Sequence, residues 1–270
     1  MKKIKVGILG CGTIGTHVAL MASKRFHDKM EVRYLTDKHS EKSRHLAKRL
    51  KNPVQVVSFS ELMQRSDVII EAASAAVSEK AATRALQHHK TILIMSVGGL
   101  LHLKNLEKKT AQSRGKLWVP SGAVAGIDAL RAAKLGKLKK VRLITRKPPQ
   151  GLSGAPYFQK RKFPSLKKNQ EVRIFSGSAR QAVRAFPQNV NVAAILSLAG
   201  LGAEKTQVEL WTSLKYKRNQ HEIFVSGAFG TVRTETSNVP SPENPKTSYL
   251  AVLSAIATLQ DIFSSIKIGT

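Results

Sequence analysis

Lys5-Val6-Gly7-Ile8-Leu9-Gly10-Cys11-Gly12-Thr13-Ile14-Gly15 stands near the start of the chain and decides the fold. Its first five residues read as a strand, and residues 16–24 read as the helix beyond. Between them lies Gly-x-Gly-x-x-Gly, in the strand–turn–helix setting that gives this spacing its meaning. Gly10 permits the tight turn, Gly12 lets a pyrophosphate approach the backbone, and Gly15 lets helix and strand pack closely. An anion held there meets the N–H groups and the positive dipole end of the new helix. Residues 31–35 read as a second strand, and Asp37 follows about 20 positions after the glycines, where a carboxylate can take a ribose hydroxyl. These features predict a Rossmann domain for NAD or NADP, with Gly10, Gly12, Thr13, Ile14, Gly15 and Asp37 at the cofactor. Asp37 favours NAD by repelling a 2′-phosphate; Lys38 and His39 partly offset that repulsion, so some use of NADP is expected.

Working outward, the period of the apolar residues alternates between helix and strand. Helices are expected at 41–50, 61–64 (capped by Ser60), 78–89 and 103–113, and strands at 54–57, 67–73, 91–95 and 116–119. The run Val68-Ile69-Ile70 is apolar without alternation, as in a parallel strand covered on both faces. Such alternation predicts an α/β fold with a doubly wound sheet that ends near Pro120.

The chain then becomes richer in strands, expected at 141–145, 171–175, 207–211 and 221–225, with helices at 125–134, 178–186 and 192–199. Residues 150–168 mix Gly, Pro and Lys without periodicity and are expected to form a mobile loop. A last helix is expected to begin at Asn244-Pro245, an N-cap followed by proline, with Leu250, Leu253, Ile256 and Ala257 as its apolar face. The expected division is a dinucleotide domain over 1–120, a mixed α/β substrate and dimerisation domain over 121–240, and a tail over 241–270 returning to the first domain. That arrangement would place the active site in a cleft between the two.

Composition narrows the class. With 270 residues and 42% hydrophobic content the chain suits a globular protein of one or two domains. It has no run of about 20 apolar residues, the length of a membrane span. One cysteine, Cys11, rules out an internal disulfide and fits a cytoplasmic setting. Cys11 reads as a small filler in the glycine loop, with redox sensitivity as the alternative. The net charge is +28, with 45 Lys and Arg against 17 Asp and Glu. The bases are spread along the whole chain, no nucleic-acid module accompanies them, and aromatics reach only 6%. A solvated basic surface that steers small anions is therefore preferred to a nucleic-acid function.

Five further stretches carry a specific resemblance. They are Pro120-Ser121-Gly122-Ala123-Val124-Ala125-Gly126-Ile127-Asp128-Ala129-Leu130, Thr145-Arg146-Lys147-Pro148-Pro149, Phe186-Pro187-Gln188-Asn189-Val190-Asn191-Val192-Ala193-Ala194, Asn219-Gln220-His221-Glu222-Ile223, and the run from Asn238-Val239-Pro240-Ser241 to Lys246-Thr247-Ser248. In this order, and over essentially the whole chain, they resemble the L-aspartate dehydrogenase family. The resemblance implies a homodimer and NAD(P)-dependent oxidative deamination of L-aspartate to iminoaspartate and then oxaloacetate with ammonia. It also implies that the iminoaspartate can feed quinolinate synthesis. It adds Ala72, Ser74, Ala123, Ala125 and Asn191 to the cofactor contacts, and it gives no metal. Asn189, Lys147, Asn219, Lys246, Thr247 and Ser248 become candidates for the substrate, with the two lysines facing its carboxylates. Three departures from the family pattern stand out: Ser213-Leu214 in place of Asp-Pro, Ala75 in place of Gln, and Gly98-Gly99-Leu100 in place of Gly-Ala-Leu.

The chemistry then asks for a group that exchanges protons, because hydride must leave a carbon bearing a neutral amine and the resulting imine must take up water. Histidine suits this near neutral pH. Of eight histidines, seven lie before Pro120; His221 alone lies in the substrate domain, beside Asn219 at the start of a strand. That singularity, together with the resemblance, which implies the acid–base role for this histidine, makes His221 the expected catalytic residue. Two other readings remain open: a reductase of another dicarboxylic imine or keto acid, and a weakly active relative that binds nucleotide or nucleic acid.

Overall fold

The computed structural model describes residues 3–103, 105–159, 161–187, 191–241, 244–266 and 268–269, with the side chains of 244–246 excepted. The chain forms two compact units, 1–120 with 252–267, and 121–251 with 268–270. Among the described residues no helix is long and apolar enough to cross a membrane.

The first unit alternates as the sequence predicts: β1 (Ile4–Leu9), α1 (Thr13–Arg25), β2 (Met30–Thr36), α2 (Ser40–Arg49), β3 (Gln55–Val56), α3 (Phe59–Arg65), β4 (Val68–Glu71), α4 (Ala75–Gln87), β5 (Thr91–Ile94), α5 (Leu106–Ala111) and β6 (Leu117–Trp118). The sheet order is β3-β2-β1-β4-β5-β6, and each pairing is parallel. This is the doubly wound order, in which the addition of successive strands across the sheet reverses between β1 and β4, the place where dinucleotides bind. Its core strands are covered on both faces: Val6, Ile8, Ile69, Ile70, Ile92 and Leu93 are buried.

Two details of this unit differ from expectation. The short helix is capped by Ser58, not Ser60: the Ser58 hydroxyl accepts from the Glu61 backbone N–H and the Glu61 carboxylate accepts from the Ser58 N–H. That reciprocal box satisfies two orphan donors at once and outcompetes a cap two residues later. The helix expected over 103–113 is shorter, because Val97–His102 winds as a 3-10 turn and Asn105 takes a left-handed φ of 55° before α5 begins.

The second unit contains α6 (Ile127–Lys134), β7 (Leu138–Lys147), β8 (Val172–Ser178), α7 (Ala179–Ala185), α8 (Asn191–Ala199), β9 (Gln207–Thr212), β10 (Asn219–Gly227), β11 (Gly230–Asn238), β12 (Pro240–Ser241) and β13 (Asn244–Ser248), and α9 (Tyr249–Phe263) closes the run of elements. Its sheet has the order β11-β10-β7-β9-β8, with β7 and β9 parallel and the other pairs antiparallel. One face carries Val141, Leu143, Val208, Leu210, Ile223 and Val225, all buried, and α6, α7 and α8 supply Leu130, Ala182, Val183, Ala194 and Leu196 to the same core.

The end of the chain corrects the sequence reading. Asn244–Ser248 is a strand that pairs with β12, and the helix starts at Tyr249, so Lys246 lies in a strand and not in a first helical turn. Hairpin pairing outweighs the local helix-start signal, and a proline is tolerated in a two-stranded edge. The buried stripe of α9 is Val252, Ala255, Ile256 and Leu259; Leu250 and Leu253 are exposed. Both stripes fit a helical period, since nearly every position of this helix is apolar. β11 had no apolar alternation to announce it: Thr231, Thr234, Thr236 and Ser237 give it β-branched and hydroxyl residues instead. Residues 150–168, expected as a mobile loop, hold two 3-10 turns and an aromatic cluster in which Tyr157 lies 4.8 Å from Phe186 and Phe158 lies 4.8 Å from Phe163.

Candidate active site

The glycine turn has the geometry its spacing predicts. Gly10 has a φ of 95°, and a Cβ there would stand 2.6 Å from the Ala73 backbone nitrogen. A Cβ on Gly15 would meet the Gly10 carbonyl oxygen at 1.9 Å, so helix and turn touch through bare backbone. Gly12 is the opposite case: nothing lies within 4 Å of where its Cβ would be. Two glycines are thus forced by the protein's own packing, and the third leaves an open cradle. No side chain caps α1 at Gly12, and Thr13 and Ile14 are its first two residues. An open glycine at an uncapped helix N-terminus fits a pyrophosphate, so the residues present fit a dinucleotide.

Asp37 is built into the same turn. Its Oδ2 accepts from the Cys11 N–H at 2.7 Å and its Oδ1 from the His39 N–H at 2.9 Å. A carboxylate oxygen has a second lone pair, so each remains able to take a ribose hydroxyl. Cys11 is a filler: its thiol is buried, takes a hydrogen bond from Ser43, and is pushed up to about 11, chiefly by burial. A thiol held that high is not a reactive one.

Across the switch point stands Glu71, a residue the sequence reading placed only within a strand. It closes β4 with 0% exposure. Its Oε1 accepts from the N–H groups of Ala73 (2.8 Å) and Ser74 (3.1 Å), and its Oε2 from that of Ser96 (3.0 Å). Burial pushes this carboxyl up, and the three backbone donors pull it back. One carboxylate thereby shapes the loops after β4 and β5, including Ala72 and Ser74. The available signal was a lone acid ending an apolar run. The departures at Ala75 and Gly99 meet here as well, since a Cβ on Gly99 would stand 2.0 Å from the Ala75 carbonyl oxygen. At this position only glycine clears the backbone of α4.

In the second unit the site is a row across the sheet. His221 on β10 faces Thr145 on β7 and Thr236 on β11 as direct cross-strand partners. His221 is 4% exposed, and its Nδ1 lies 3.0 Å from the Thr145 hydroxyl. The Thr236 hydroxyl and the Asn238 amide donate to the Ala123 carbonyl at 3.0 and 2.9 Å, and the Thr234 hydroxyl donates to that of Ala125 at 3.1 Å. The turn over 121–126 is therefore laced to β11 beside the histidine. Ala123 and Ala125 offer backbone with small side chains there, as close approach by a flat ring requires.

Lys147 lies two residues beyond Thr145 on the same buried face. Burial pushes its ammonium down to about 8. Its carbonyl accepts from the Thr212 hydroxyl at 2.9 Å. Burial also pushes His221 down, to about 3, and the charge of Lys147 adds to this. Asn219 reaches the Ser248 hydroxyl at 3.5 Å, a long contact, while Thr247 is half-buried beside it in β13. Asn191 is the first residue of α8. Asn189 and the side chain of Lys246 lie outside the described residues. The unusual Ser213 is fully buried and donates to the Gln170 carbonyl at 2.6 Å, a link between the end of β9 and the segment before β8.

Comparison with known proteins agrees with both halves. Residues 10–120 match the NAD-binding domain of homoserine dehydrogenase, and residues 128–262 match the C-terminal domain of aspartate dehydrogenase. Among solved structures, the aspartate dehydrogenase of Thermotoga maritima shares the fold with a TM-score of 0.78, at 24% identity over 99% of this chain and 100% of that one. A myo-inositol dehydrogenase of Lactobacillus casei, solved with NAD(H) and myo-inositol, shares it more loosely, with a TM-score of 0.54 over 97% of this chain and 86% of that one. The cradle and these matches define a nicotinamide-dinucleotide-dependent dehydrogenase. L-aspartate dehydrogenases of Methanosarcina barkeri (42% identity over 99% of this chain and all of the relative) and Bordetella bronchiseptica (34% over 100% and 98%) narrow the class. The chain belongs to the L-aspartate dehydrogenase family.

Proposed function

We propose that the protein oxidises L-aspartate to iminoaspartate, which then hydrolyses to oxaloacetate and ammonia, with His221 as the proton-transfer group. The observation that carries this reading is the buried row in the second unit, where a single histidine, a buried lysine and a backbone turn share one sheet face. A bound nicotinamide supplies the hydride acceptor. Lys147 is the proposed holder of a substrate carboxylate, because an ammonium in a dry site pairs strongly with an anion. In the free protein His221 is kept neutral by burial and by Lys147. A dianionic substrate seated on Lys147 offsets the second and smaller of these causes, which favours protonation of the imidazole. Asn219, Thr247 and Ser248 supply donors for the remaining carboxylate, and Asn191 with Ala123 and Ala125 borders the nicotinamide; the family resemblance supports these roles.

Asp37 supports a preference for NAD, while the exposed Lys38 and His39 beside it support residual use of NADP. A homodimer is supported by the outer face of the second sheet, where half-buried Ile144, Trp211 and Phe224 alternate with the ion pairs Arg142–Glu209 and Arg146–Glu222. A cytoplasmic location and a supply of iminoaspartate for quinolinate formation rest on cysteine usage and on the family resemblance respectively. The test is a steady-state assay with NAD and with NADP against aspartate, glutamate, alanine and malate. Aspartate is expected to give the highest kcat/KM, and activity confined to one of the other acids would refute the reading.

A further inference from the structure

His221 has two ring nitrogens, and to exchange a proton through one of them its ring must be held at the other. We propose that Thr145 is the positioning residue for His221: its hydroxyl occupies Nδ1, so that Nε2 is the nitrogen left to exchange a proton with the substrate. The inference rests on the reading of His221 as the acid–base.

The geometry is specific. Thr145 is the direct cross-strand partner of His221, 2% exposed, with Oγ1 3.0 Å from Nδ1. Directly opposed residues on antiparallel strands present their side chains to the same face, so the contact follows from register and not from a chance rotamer. The apolar neighbours on the same face of β7 are Val141 and Leu143. Valine would fill the Thr145 site equally well in volume and would avoid burying a hydroxyl, which costs free energy unless that hydroxyl is bonded. The hydroxyl is present where its partner is the imidazole.

A hydroxyl is also the fitting kind of partner. A carboxylate would hold Nδ1–H permanently and favour the charged ring. A hydroxyl both donates and accepts. Here it accepts from Nδ1–H, so Nε2 carries a lone pair and takes a proton from the substrate side. The imidazolium so formed, still held through Nδ1–H by Thr145, gives that proton back from Nε2. Oxidation of the amine and hydration of the imine need those two steps in turn, and a neutral hydroxyl serves both without moving the ring.

The experiment compares Thr145→Val, Thr145→Ser and His221→Ala, alone and in combination, by kcat and KM for aspartate and by NAD binding. Thr145→Val is expected to lower kcat by about 10-fold to 100-fold, less than the loss of a whole general acid–base group. KM for aspartate and the Kd for NAD stay within about 3-fold, since the change acts on the step and not on uniform binding. Thr145→Ser, which keeps the hydroxyl and loses the methyl, recovers most of the rate. In the His221→Ala background Thr145→Val adds no further loss, as for two members of one unit. Wild-type kcat in Thr145→Val beside an inactive His221→Ala would overturn the inference and leave the His221 reading intact. Equal losses in Thr145→Val and Thr145→Ser would overturn it too, by assigning the effect to packing of the methyl. A fully active His221→Ala would remove the reading beneath it.

Discussion

The glycine turn of the first unit and the histidine row of the second are built by opposite means. In the turn, function lies in backbone: Gly12 is open, Gly10 and Gly15 are closed by their own neighbours, and one carboxylate, Asp37, ties the loop. All of it falls between the end of β1 and the residue that follows β2. In the row, the proposed function lies in side chains that register alone unites. Thr145 and His221 are 76 residues apart, and Thr236 reaches back 113 residues to the Ala123 carbonyl. A site made of local backbone is written in a short motif. A site made by cross-strand pairing is not.

This difference orders the expected effects of mutation. Glu71 joins the two kinds, since it is a side chain that shapes backbone loops. Glu71→Gln turns an acceptor into a donor against one of three backbone N–H groups, and each unsatisfied buried group costs about 1–3 kcal/mol. We expect NAD binding to weaken by about 10-fold or more, about 1.4 kcal/mol, with a lowered Tm and a nearly unchanged KM for aspartate at saturating NAD. Unchanged NAD affinity in the folded variant would show that the loops after β4 and β5 hold their shape without Glu71.

The second expectation concerns Lys147, whose ammonium is pushed down to about 8 by burial. The charged form prevails below that pH and is lost above it. Succinate carries both carboxylates and no amine, so its inhibition reports this charge free of the substrate's own titration. Inhibition should be flat from pH 6.5 to 7.5 and should weaken toward about 10-fold per pH unit above 8, as for loss of one required proton. In Lys147→Met the pH dependence should vanish and inhibition should be weak throughout. A flat profile to pH 9.5 in the wild-type protein would show that Lys147 does not hold a carboxylate.

The smallest effect belongs to Asp37. Its two backbone bonds have structural value as well, so Asp37→Asn is the gentler probe. The ratio of kcat/KM for NAD over NADP should fall by about 10-fold, the size of one lost charge discrimination at a partly exposed site. An unchanged ratio would mean that Asp37 serves the turn and does not read the ribose.

Much of the first unit was legible because each element there obeys a local rule. Period, glycine spacing and a carboxylate at the right distance all act within one βαβ stretch. The failures came where tertiary pairing overrode a local signal. Asn244-Pro245 is a good helix start and yet lies in a hairpin; the aperiodic run over 150–168 packs its Tyr157 and Phe158 against Phe186. In the candidate site, His221 and Lys147 were singled out by type and by resemblance to a family. Thr145 and Asn238 each open a stretch that carries the resemblance, but nothing gave either a role; Thr236 had no signal, since a half-buried threonine in a strand looks like any β-branched residue. Glu71 had a faint one, a single charge ending an apolar run.

The most direct test of the account is turnover and coenzyme affinity measured together in His221→Ala. In the proposed reading His221 transfers a proton, while the glycine turn of the other unit carries most of the coenzyme binding. The account therefore predicts a kcat lowered by roughly 10²–10⁴-fold with the Kd for NAD within about 2-fold of the wild-type value. A variant that turns over aspartate at near wild-type rate, or one that loses NAD binding and turnover in equal measure, would contradict it.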